Sequence, residues 1–535
     1  MQKTKSFLKI FSILLAIFIN LFAFNILFPI GMTQHQIQTD SPYDIHLNWQ
    51  HDSSTTMTVV WETTTATTGS TIQYGSDMNY NQTAEGTIDN QGTNGLIHIV
   101  EITGLSPGTT YHYTCGDTQG GWSPDSTFMT APAIATNFTF ISMGDSRDNP
   151  TELQKIVGKV ILTDPDFVGF SGDLCGNDDA NDYDVWFTIW QPLGTHVPIV
   201  PSIGNHEEGG VNYIHRFTLP NNERWYSLNY SNMHIIVLST NQDTYSPGTE
   251  QYTWLVHDLQ TAANDSAHPW KIAIFHNPPY NVGGHGSNPN VQNYLVPLFL
   301  EYKVDIVFNG HNHYYERTYP LIGAGANPTV TDTNLHYYKN PTGIIYATTG
   351  SCGAPLYDVG SAYYLAVAVK NYNYAKINIY TNNSLHMQTY LDDGTTQIDD
   401  FWIEKNETTN QPPQQPSITG PNIGKIKTAT AYNFTTTDPE NNTVFYFIDW
   451  GDETNSSWIG PYSSSELITR SHTWSKKGDY ILKAKAKDVY GNESDWGQLS
   501  VTMPFSYNIP YESFWMKLFE RFPSAFPILR RMIGY

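Results

Sequence analysis

The chain has 535 residues, which is longer than a single hydrophobic core normally supports, so its length predicts two to four domains. Its formal net charge of −23 would repel a polyanion and no basic stripe offsets that charge, which argues against nucleic acid as a partner. The same charge disfavours anionic substrates unless a local site, such as a metal centre, supplies positive charge.

The N-terminal segment, residues 1–34, has the pattern of a targeting sequence. Lys3, Lys5 and Lys9 precede an apolar run over residues 10–31. A positive front and an apolar stretch are typical of a secretory signal peptide, and about 20 apolar residues are also enough to cross a bilayer as an uncleaved anchor. Either alternative predicts that the rest of the chain is exported, and so secreted or held at the cell surface.

Export has two covalent consequences. Sequons of the type N-x-Ser/Thr, which accept glycans on exported chains, occur for example at Asn81, Asn137, Asn229, Asn406 and Asn455. Only three cysteines are present, so the chain is not a disulfide scaffold. One bridge and one free thiol is the simplest exported arrangement, and we expect Cys175 to pair with Cys352 because both fall in loops near one predicted site.

Residues 41–132 are predicted to form a β-sandwich. Short segments such as "MTVVWETTT", "GSTIQYGS" and "LIHIVEITGL" are separated by Gly, Ser, Asn and Pro turns, which is the pattern of an all-β domain. The run "ITGLSPGTTYHYTC" resembles the stretch of fibronectin type III domains in which Leu-x-Pro-Gly-Thr-x-Tyr closes a hairpin.

Residues 136–405 are predicted to form an α/β domain with a buried sheet. Apolar strands such as "FTFISMGD" and "WKIAIFHNPP" alternate with helix candidates such as "QYTWLVHDLQ" and "QNYLVPLFLEY". Pro150 is placed to begin the first helix. Residues 360–405 return to β-hairpins, which we expect to finish the same domain.

The last part of the chain adds a linker, a third domain and a tail. Residues 406–417 are a Pro/Gln/Asn linker. Residues 418–505 are predicted to form a β-sandwich, and "FYFIDWGDETN" resembles the polycystic-kidney-disease (PKD) type of immunoglobulin-like module. The tail, residues 506–535, clusters apolar and basic residues, which predicts either an amphipathic segment that associates with a membrane or cell envelope, or a helix docked on the preceding domain.

Polar side chains follow five strands of the predicted α/β domain. The carboxyl ends of strands in open α/β sheets meet in one crevice, and carboxylate and imidazole groups suit transition metals. The residues at these ends are Asp145, Asp173, Asn205 with His206, His276, and His311 with His313. This set exceeds what one ion needs, so the sequence predicts two metal ions about 3.5–4 Å apart with a shared carboxylate.

In chain order these blocks read GD, GD, GNHE, H and GHNH, which resembles the calcineurin-like metallophosphoesterases. Together with the preceding fibronectin-like domain they resemble specifically the purple acid phosphatases, over residues 41–405. The resemblance implies a multidomain chain whose central domain is an α/β sandwich of two mixed β-sheets flanked by helices. It also implies metal roles: Asp173 would bridge both ions, Asp145 and His313 would complete one, and Asn205, His276 and His311 the other.

The resemblance extends to groups outside the metal ligands. His206 and His285 match histidines that bind phosphate and help protonate the leaving oxygen, whereas Gly286 stands where the family has a third. The implied reaction is in-line attack by metal-bound hydroxide on phosphorus.

Two positions depart from the family. The purple enzymes carry G-D-x-x-Y, whose tyrosinate binds iron(III) and gives the colour, but Gly176 stands at the tyrosine position. Other metallophosphoesterases use a histidine two residues after the first aspartate, where this chain has Arg147. We therefore expect no ferric–tyrosinate centre, and two ions of iron, manganese or zinc with a divalent ion or an extra water favoured. Arg147 is either a clamp for phosphate or a solvated loop residue.

The sequence thus predicts an exported binuclear-metal phosphatase that hydrolyses phosphate monoesters, with diesters as a second substrate class. Membrane or cell-envelope association is expected through the N-terminal segment or the C-terminal tail. The alternative is a cell-surface adhesion protein with a degenerate phosphatase domain, which the lost tyrosine position favours and the otherwise complete ligand set opposes.

Overall fold

The computed structural model describes residues 41–64, 69–405, 411–440, 442–489, 491–504, 517–518 and 520–522. The predicted targeting segment, the sequon at Asn406 and the C-terminal tail other than residues 517–518 and 520–522 lie outside these ranges, so their predictions stay untested. Within the described ranges, no helix is long and apolar enough to cross a membrane.

The first β region is built from two sheets. Its strands are β1 (Tyr43–Asn48), β2 (Thr56–Thr63), β3 (Thr71–Gly75), β4 (Gln82–Glu85), β5 (Thr87–Asp89), β6 (Leu96–Thr103), β7 (Thr110–Asp117), β8 (Gly121–Trp122) and β9 (Ser126–Met129). One sheet has the order β1-β2-β6-β5 and the other β4-β3-β7-β8, with β9 also paired to β7. Their apolar side chains belong to the same buried cluster as those of the central region, so the two regions share one continuous core.

The central region contains sixteen strands. They are β10 (Phe138–Met143), β11 (Phe167–Phe170), β12 (Ile199–Pro201), β13 (Tyr226–Tyr230), β14 (Met233–Val237), β15 (Trp270–Ile274), β16 (Ile306–Asn309), β17 (Tyr315–Thr318), β18 (Leu321–Ile322), β19 (Thr329–Val330), β20 (Tyr337–Lys339), β21 (Ile345–Thr349), β22 (Leu365–Val369), β23 (Asn373–Ile379), β24 (Ser384–Leu391) and β25 (Gln397–Glu404). Two seven-stranded sheets result, with the orders β12-β11-β10-β23-β24-β25-β20 and β13-β14-β15-β16-β21-β17-β22.

The two sheets are mixed and pack face to face, as the resemblance to the metallophosphoesterases implied. β10, β11 and β12 run parallel, whereas β10 and β23 are antiparallel. The rings of Phe140 and Phe308, one from each sheet, meet edge to face at 5.9 Å. Gly169 in β11 allows a close approach, because a Cβ there would lie 2.8 Å from Cδ1 of Ile274 in the other sheet.

Six helices accompany these sheets in the described residues. They are α1 (Pro150–Ile161), α2 (Ala180–Gly194), α3 (Val211–Arg216), α4 (Glu250–Ala263), α5 (Pro289–Tyr294) and α6 (Val296–Glu301). Asn149 caps α1 through a hydrogen bond from the Glu152 N–H, and Pro150 opens the helix as predicted. The segment predicted as one helix near residue 295 is divided into α5 and α6, because Pro297 has no N–H to donate to the preceding turn.

The C-terminal region forms two further sheets. Its strands are β26 (Ser417–Thr419), β27 (Thr430–Thr435), β28 (Val444–Asp449), β29 (Asn455–Tyr462), β30 (Ile468–His472), β31 (Gly478–Asp488) and β32 (Gly497–Met503). The sheet orders are β26-β27-β30 and β29-β28-β31-β32, and a separate apolar core that includes Trp450 and Trp474 lies within this region. Its membership of the PKD type of module stays a prediction.

The predicted disulfide bond is wrong. Cys115, Cys175 and Cys352 are all buried free thiols. The thiol of Cys352 donates instead to the carbonyl oxygen of Gly144 at 2.8 Å. Burial raises the pKa of both Cys175 and Cys352, which keeps them as neutral thiols inside the apolar core.

Candidate metal centre

The predicted ligand residues lie just beyond the carboxyl ends of five strands. Asp145 follows β10, Asp173 follows β11, Asn205 follows β12, His276 follows β15, and His311 and His313 follow β16. The first three strands belong to one sheet and the last two to the other, so the residues gather where the ends of the two sheets meet.

The backbone at three of these residues is strained. Asp145, Asp173 and His311 have φ angles of 54°, 54° and 69°, in the left-handed region that disfavours a Cβ. Hydrogen bonds between the two aspartate loops hold this conformation, from the Asp145 N–H to the Gly172 carbonyl and from the Ser146 N–H to the Asp173 carbonyl, each 3.0 Å long. Strain of this kind is retained where the surrounding structure fixes a functional side chain.

One group of side chains surrounds the Oδ1 atom of Asp173. Nε2 of His276 lies 3.3 Å from this oxygen and 3.1 Å from Oδ1 of Asn205. The ring of His311 packs 5.0 Å from the His276 ring. We call the side chains of Asp173, Asn205, His276 and His311 the Asn205 position.

A second group surrounds Asp145. Nε2 of His313 lies 3.5 Å from Oδ1 of Asp145, and the His311 N–H donates to both oxygens of that carboxylate at 3.0 Å. We call Asp145, His313 and the shared Asp173 the Asp145 position. Carboxylate oxygens of Asp145 and Asp173 and a ring nitrogen of His276 all lie within 4.8 Å of one another, which joins the two positions into one cluster.

Two of the histidines are oriented as metal ligands usually are. Nδ1 of His276 donates to the Ser171 carbonyl at 2.8 Å, and Nδ1 of His313 donates to the Pro355 carbonyl at 2.7 Å. These bonds fix each ring and direct Nε2 towards the carboxylates. A hydrogen bond from the other ring nitrogen is the usual second contact of a metal-binding imidazole.

The charges of the cluster also fit a cation. Burial alone would lower the pKa of His276, but the nearby carboxylates of Asp173 and Asp145 outweigh it and raise that pKa to about 9. In Asp173 burial is likewise outweighed, chiefly by His276, so the pKa of this carboxyl falls below its usual range. Burial, with the charges of His276 and His285, lowers the pKa of His311 to about 3, which leaves its nitrogen lone pair available. Two buried carboxylates thus attract positive charge, and the donor set of carboxylate, amide oxygen and imidazole fits transition metal ions.

Glu207 was missed as a functional residue by sequence reasoning. Its buried carboxylate accepts backbone N–H groups from Asp173 (3.0 Å), Leu174 (2.7 Å), Cys175 (3.4 Å) and Gly204 (2.7 Å). Burial and the charge of Asp173 raise the pKa of Glu207 to about 8. Glu207 therefore holds the loop that presents Asp173, and its only signal was its place in the GNHE block.

His206 and Arg147 face the other oxygen of Asp173. Nδ1 of His206 donates to the Gly176 carbonyl at 2.8 Å, and its Nε2 lies 3.9 Å from Oδ2 of Asp173. Nε of Arg147 lies 3.6 Å from the same Oδ2, while its guanidinium pairs with Asp148. The structure therefore places Arg147 beside the cluster of candidate ligands rather than out in solvent, with its side chain only 14% exposed.

His285 lies at the rim beside a tyrosine that the sequence did not single out. The ring of His285 stacks on His311 at 4.2 Å, and its Nε2 is 3.2 Å from the hydroxyl oxygen of Tyr357. The ring of Tyr357 in turn stacks on His313 at 4.2 Å. No motif surrounds Tyr357, so only the fold reveals its position. Three other tyrosines, Tyr280, Tyr314 and Tyr315, are buried in the interior.

Comparisons with known proteins agree with this geometry. The model of the purple acid phosphatase N-terminal domain matches residues 42–130, and the model of the calcineurin-like phosphoesterase matches residues 114–315. Acid phosphatase type 7 of Mus musculus is 31% identical over 415 residues, which cover 68% of this chain and 91% of that protein.

Two further relatives extend the comparison. Fe(3+)-Zn(2+) purple acid phosphatase 12 of Arabidopsis thaliana is 28% identical over 349 residues, which cover 59% of this chain and 72% of that protein. Among solved structures, purple acid phosphatase PPD1 from yellow lupin (Lupinus luteus) seeds aligns with a TM-score of 0.61 at 21% identity, covering 69% of this chain and 75% of that one. The latter likeness concerns the fold.

Proposed function

Because the chain belongs to the purple acid phosphatase family of calcineurin-like metallophosphoesterases, we propose that it is an exported phosphatase that hydrolyses phosphate monoesters at a pair of metal ions. Diesters are the second substrate class. The observation that carries this proposal is the convergence of Asp145, Asp173 and His276 in one buried cluster. The adhesion alternative is less well supported, since the predicted ligand side chains converge rather than scatter.

The residues have distinct parts in the proposed reaction. When bound, the ions supply the Lewis acidity that neutralises phosphate oxygens and acidifies water. Asp173 would be shared by both ions because its carboxylate lies within 4.8 Å of both the Asp145 carboxylate and a ring nitrogen of His276. His276 and His313 are held in place by backbone carbonyls. Iron, manganese and zinc all suit these donors, and one relative is named for iron(III) and zinc.

Three basic side chains, His206, Arg147 and His285, lie beside the cluster where phosphate would bind. We assign His206 and Arg147 to the binding of the substrate's phosphate group, because both lie beside Oδ2 of Asp173. We assign His285 to the protonation of the leaving oxygen, since it lies at the rim of the cluster, stacked on His311, and is exposed to solvent. Arg147 offers a fixed charge and a planar donor surface that suit phosphate oxygens.

A chromogenic phosphate monoester tests the activity directly. The full chain, loaded with manganese, zinc or iron, is expected to hydrolyse it, whereas Asp173→Ala is expected to lose at least about 10³-fold in kcat because both ions lose their shared ligand. Asp479→Ala, which changes an exposed aspartate in the C-terminal region, is the matched control. Equal activity of Asp173→Ala and the unchanged protein would contradict the assignment of Asp173.

Export is supported by the basic and apolar pattern of residues 1–34. Cell fractionation with an antibody to the chain tests it, and the N-terminal sequence of the mature protein distinguishes a cleaved signal from an anchor. Recovery of the chain only in the cytoplasm would contradict the proposal.

A further inference from the structure

The two oxygens of Asp173 face different surroundings. Oδ1 lies 3.3 Å from Nε2 of His276 and accepts the His206 N–H at 3.0 Å. Oδ2 lies 3.6 Å from Nε of Arg147 and 3.9 Å from Nε2 of His206. One side of the shared carboxylate therefore faces a predicted metal ligand, whereas the other faces a permanent cation.

On this same side, two residues near the Asp145 position offer no metal ligand from their side chains. Gly176 has no side chain, and its carbonyl oxygen accepts a hydrogen bond from His206. Arg147, two residues after Asp145, has no lone pair with which to bind a metal. The Asp145 position thus has three side chains, Asp145, His313 and the shared Asp173, whereas the Asn205 position has four.

The charge of Arg147 is poorly screened by water. Its Nε is fully buried and has no hydrogen-bond partner among the described residues, and the whole side chain is only 14% exposed. The guanidinium pairs with Asp148. A buried charge interacts several times more strongly with its neighbours than a solvated one does.

We propose that the two metal positions of this chain are unequal: the Asn205 position binds its ion tightly, and the Asp145 position binds the second ion weakly because it lacks a ligand and lies beside Arg147. This inference rests on the proposed function only for the presence of metal, and it concerns binding rather than turnover.

A consequence follows for substrate binding. A phosphate group brings negative charge to the side of Asp173 on which Arg147 lies, so it offsets the repulsion between Arg147 and the second ion. We therefore expect inorganic phosphate to tighten the weak binding event and to leave the tight one nearly unchanged.

Metal titration without substrate tests the inference. The full chain is stripped with a chelator and titrated with Zn²⁺ or Mn²⁺ in a calorimeter, and bound ions per chain are counted by elemental analysis. We expect two binding events whose affinities differ by at least about 100-fold, since both a ligand and a favourable charge are missing from one position. Asp145→Asn is expected to abolish the weak event and to keep the tight one.

Variants of Arg147 separate its charge from its shape. Arg147→Gln is expected to strengthen the weak event by about 10-fold, and Arg147→His by more, because the imidazole adds a ligand. Arg147→Lys keeps the charge and is expected to keep the inequality. Arg470→Gln, an arginine of the C-terminal region, is the control and is expected to change neither event.

Metal binding and phosphatase activity are measured separately, so failure of this inference is distinguishable from failure of the proposed function. The inference would be overturned if the unchanged protein bound both ions with equal affinity, or if Asp145→Asn lost the tight binding event. It would also be overturned if a folded Arg147→Gln variant kept the same ratio between the two metal affinities. An inactive protein that still shows two unequal events would contradict the phosphatase proposal and leave the inference standing. Circular dichroism of each variant checks that it is folded.

Discussion

Glu207 shows how a residue outside the predicted ligand set determines the geometry of the centre. Its carboxylate accepts four backbone N–H groups from the loops that follow β11 and β12. The sequence revealed the candidate ligands because few residue types bind metals, and because these residues come directly after predicted strands. It did not reveal Glu207, because a supporting contact across two loops exists only once the loops are folded.

Replacing Glu207 by alanine is therefore expected to destabilise the central region. Each buried N–H that loses its acceptor costs about 1–3 kcal/mol, so we expect a loss of about 3 kcal/mol or more in the free energy of unfolding, together with loss of bound metal. Urea unfolding followed by tryptophan fluorescence measures the first and elemental analysis the second. Glu208→Ala, which changes the exposed neighbour, is the control and should leave both unchanged.

Glu316 makes stability depend on pH. The residue is 1% exposed, and burial raises its pKa to about 8, with one oxygen accepting the Val282 N–H and the other lacking a partner among the described residues. The folded chain holds the Glu316 proton up to a higher pH than the unfolded chain does. The contribution of Glu316 to the free energy of unfolding is therefore complete below about pH 4 and is lost as pH rises through about 8.

We therefore expect the free energy of unfolding to fall by about 3 kcal/mol between pH 5 and pH 8 from Glu316 alone. Glu316→Gln keeps the shape of the neutral acid and should remove this part of the slope, so that the variant is the more stable protein at pH 8. Unfolding curves at several pH values measure the difference. A Glu316→Gln variant with the same slope as the unchanged protein would show that the carboxyl is already ionised when folded.

At the scale of the elements, the loops after β11 and β16 approach so closely that their glycines have no room for a side chain. A Cβ at Gly310 would lie 2.4 Å from Oδ2 of Asp145 and 2.8 Å from the Ser171 carbonyl. The sequence predicted these strands and loops because their apolar runs and Gly-Asp ends are local. It did not predict the break between α5 and α6, or the free thiols of Cys175 and Cys352, because those depend on how each segment packs.

Gly310→Ala is expected to displace Asp145 and to lower kcat by about 10²-fold, because a shift of about 1 Å in a catalytic group has effects of that size. The loss should be accompanied by a lower metal content. Gly158→Ala is the control: it lies in α1 with no atom within 4 Å of the added Cβ, so it should stabilise the helix by up to about 1 kcal/mol and leave kcat unchanged. An active, metal-replete Gly310→Ala would show that the loop has room to move.

At the scale of the whole molecule, Arg216 joins the first β region to the central one. Its guanidinium, 1% exposed, pairs with Glu62 of β2 and with Asp184 of α2 at 2.8 Å, and lies 4.0 Å from Asp44 of β1. One cation thus serves three carboxylates, and one oxygen of Asp44 has no hydrogen-bond partner among the described residues. Sequence patterns predicted the two regions but not this contact, because Arg216 lies more than 150 residues after Asp44 and Glu62 along the chain.

Removal of this cation is expected to loosen the first β region from the rest. Arg216→Gln leaves the buried carboxylates unpaired, which costs about 3–5 kcal/mol, and the segment between β9 and β10 should become susceptible to limited proteolysis. Burial, together with the neighbouring Glu62, raises the pKa of Asp44, and burial raises that of Glu62. Both groups are therefore stabilised by protons when folded, and the defect should be smaller at pH 5 than at pH 8.

A second substitution distinguishes charge repulsion from lost packing. Asp44→Asn removes one of the excess negative charges, so adding it to Arg216→Gln should restore part of the protease resistance at pH 8. The gain should be smaller at pH 5, because burial and the charge of Glu62 raise the pKa of Asp44 and so favour its protonated form as the pH falls. Proteolysis rates of the two single variants and the double variant form a complete cycle. If the double variant is cleaved as fast as Arg216→Gln at both pH values, packing of the guanidinium on Tyr183 and Phe187, rather than its charge, holds the regions together.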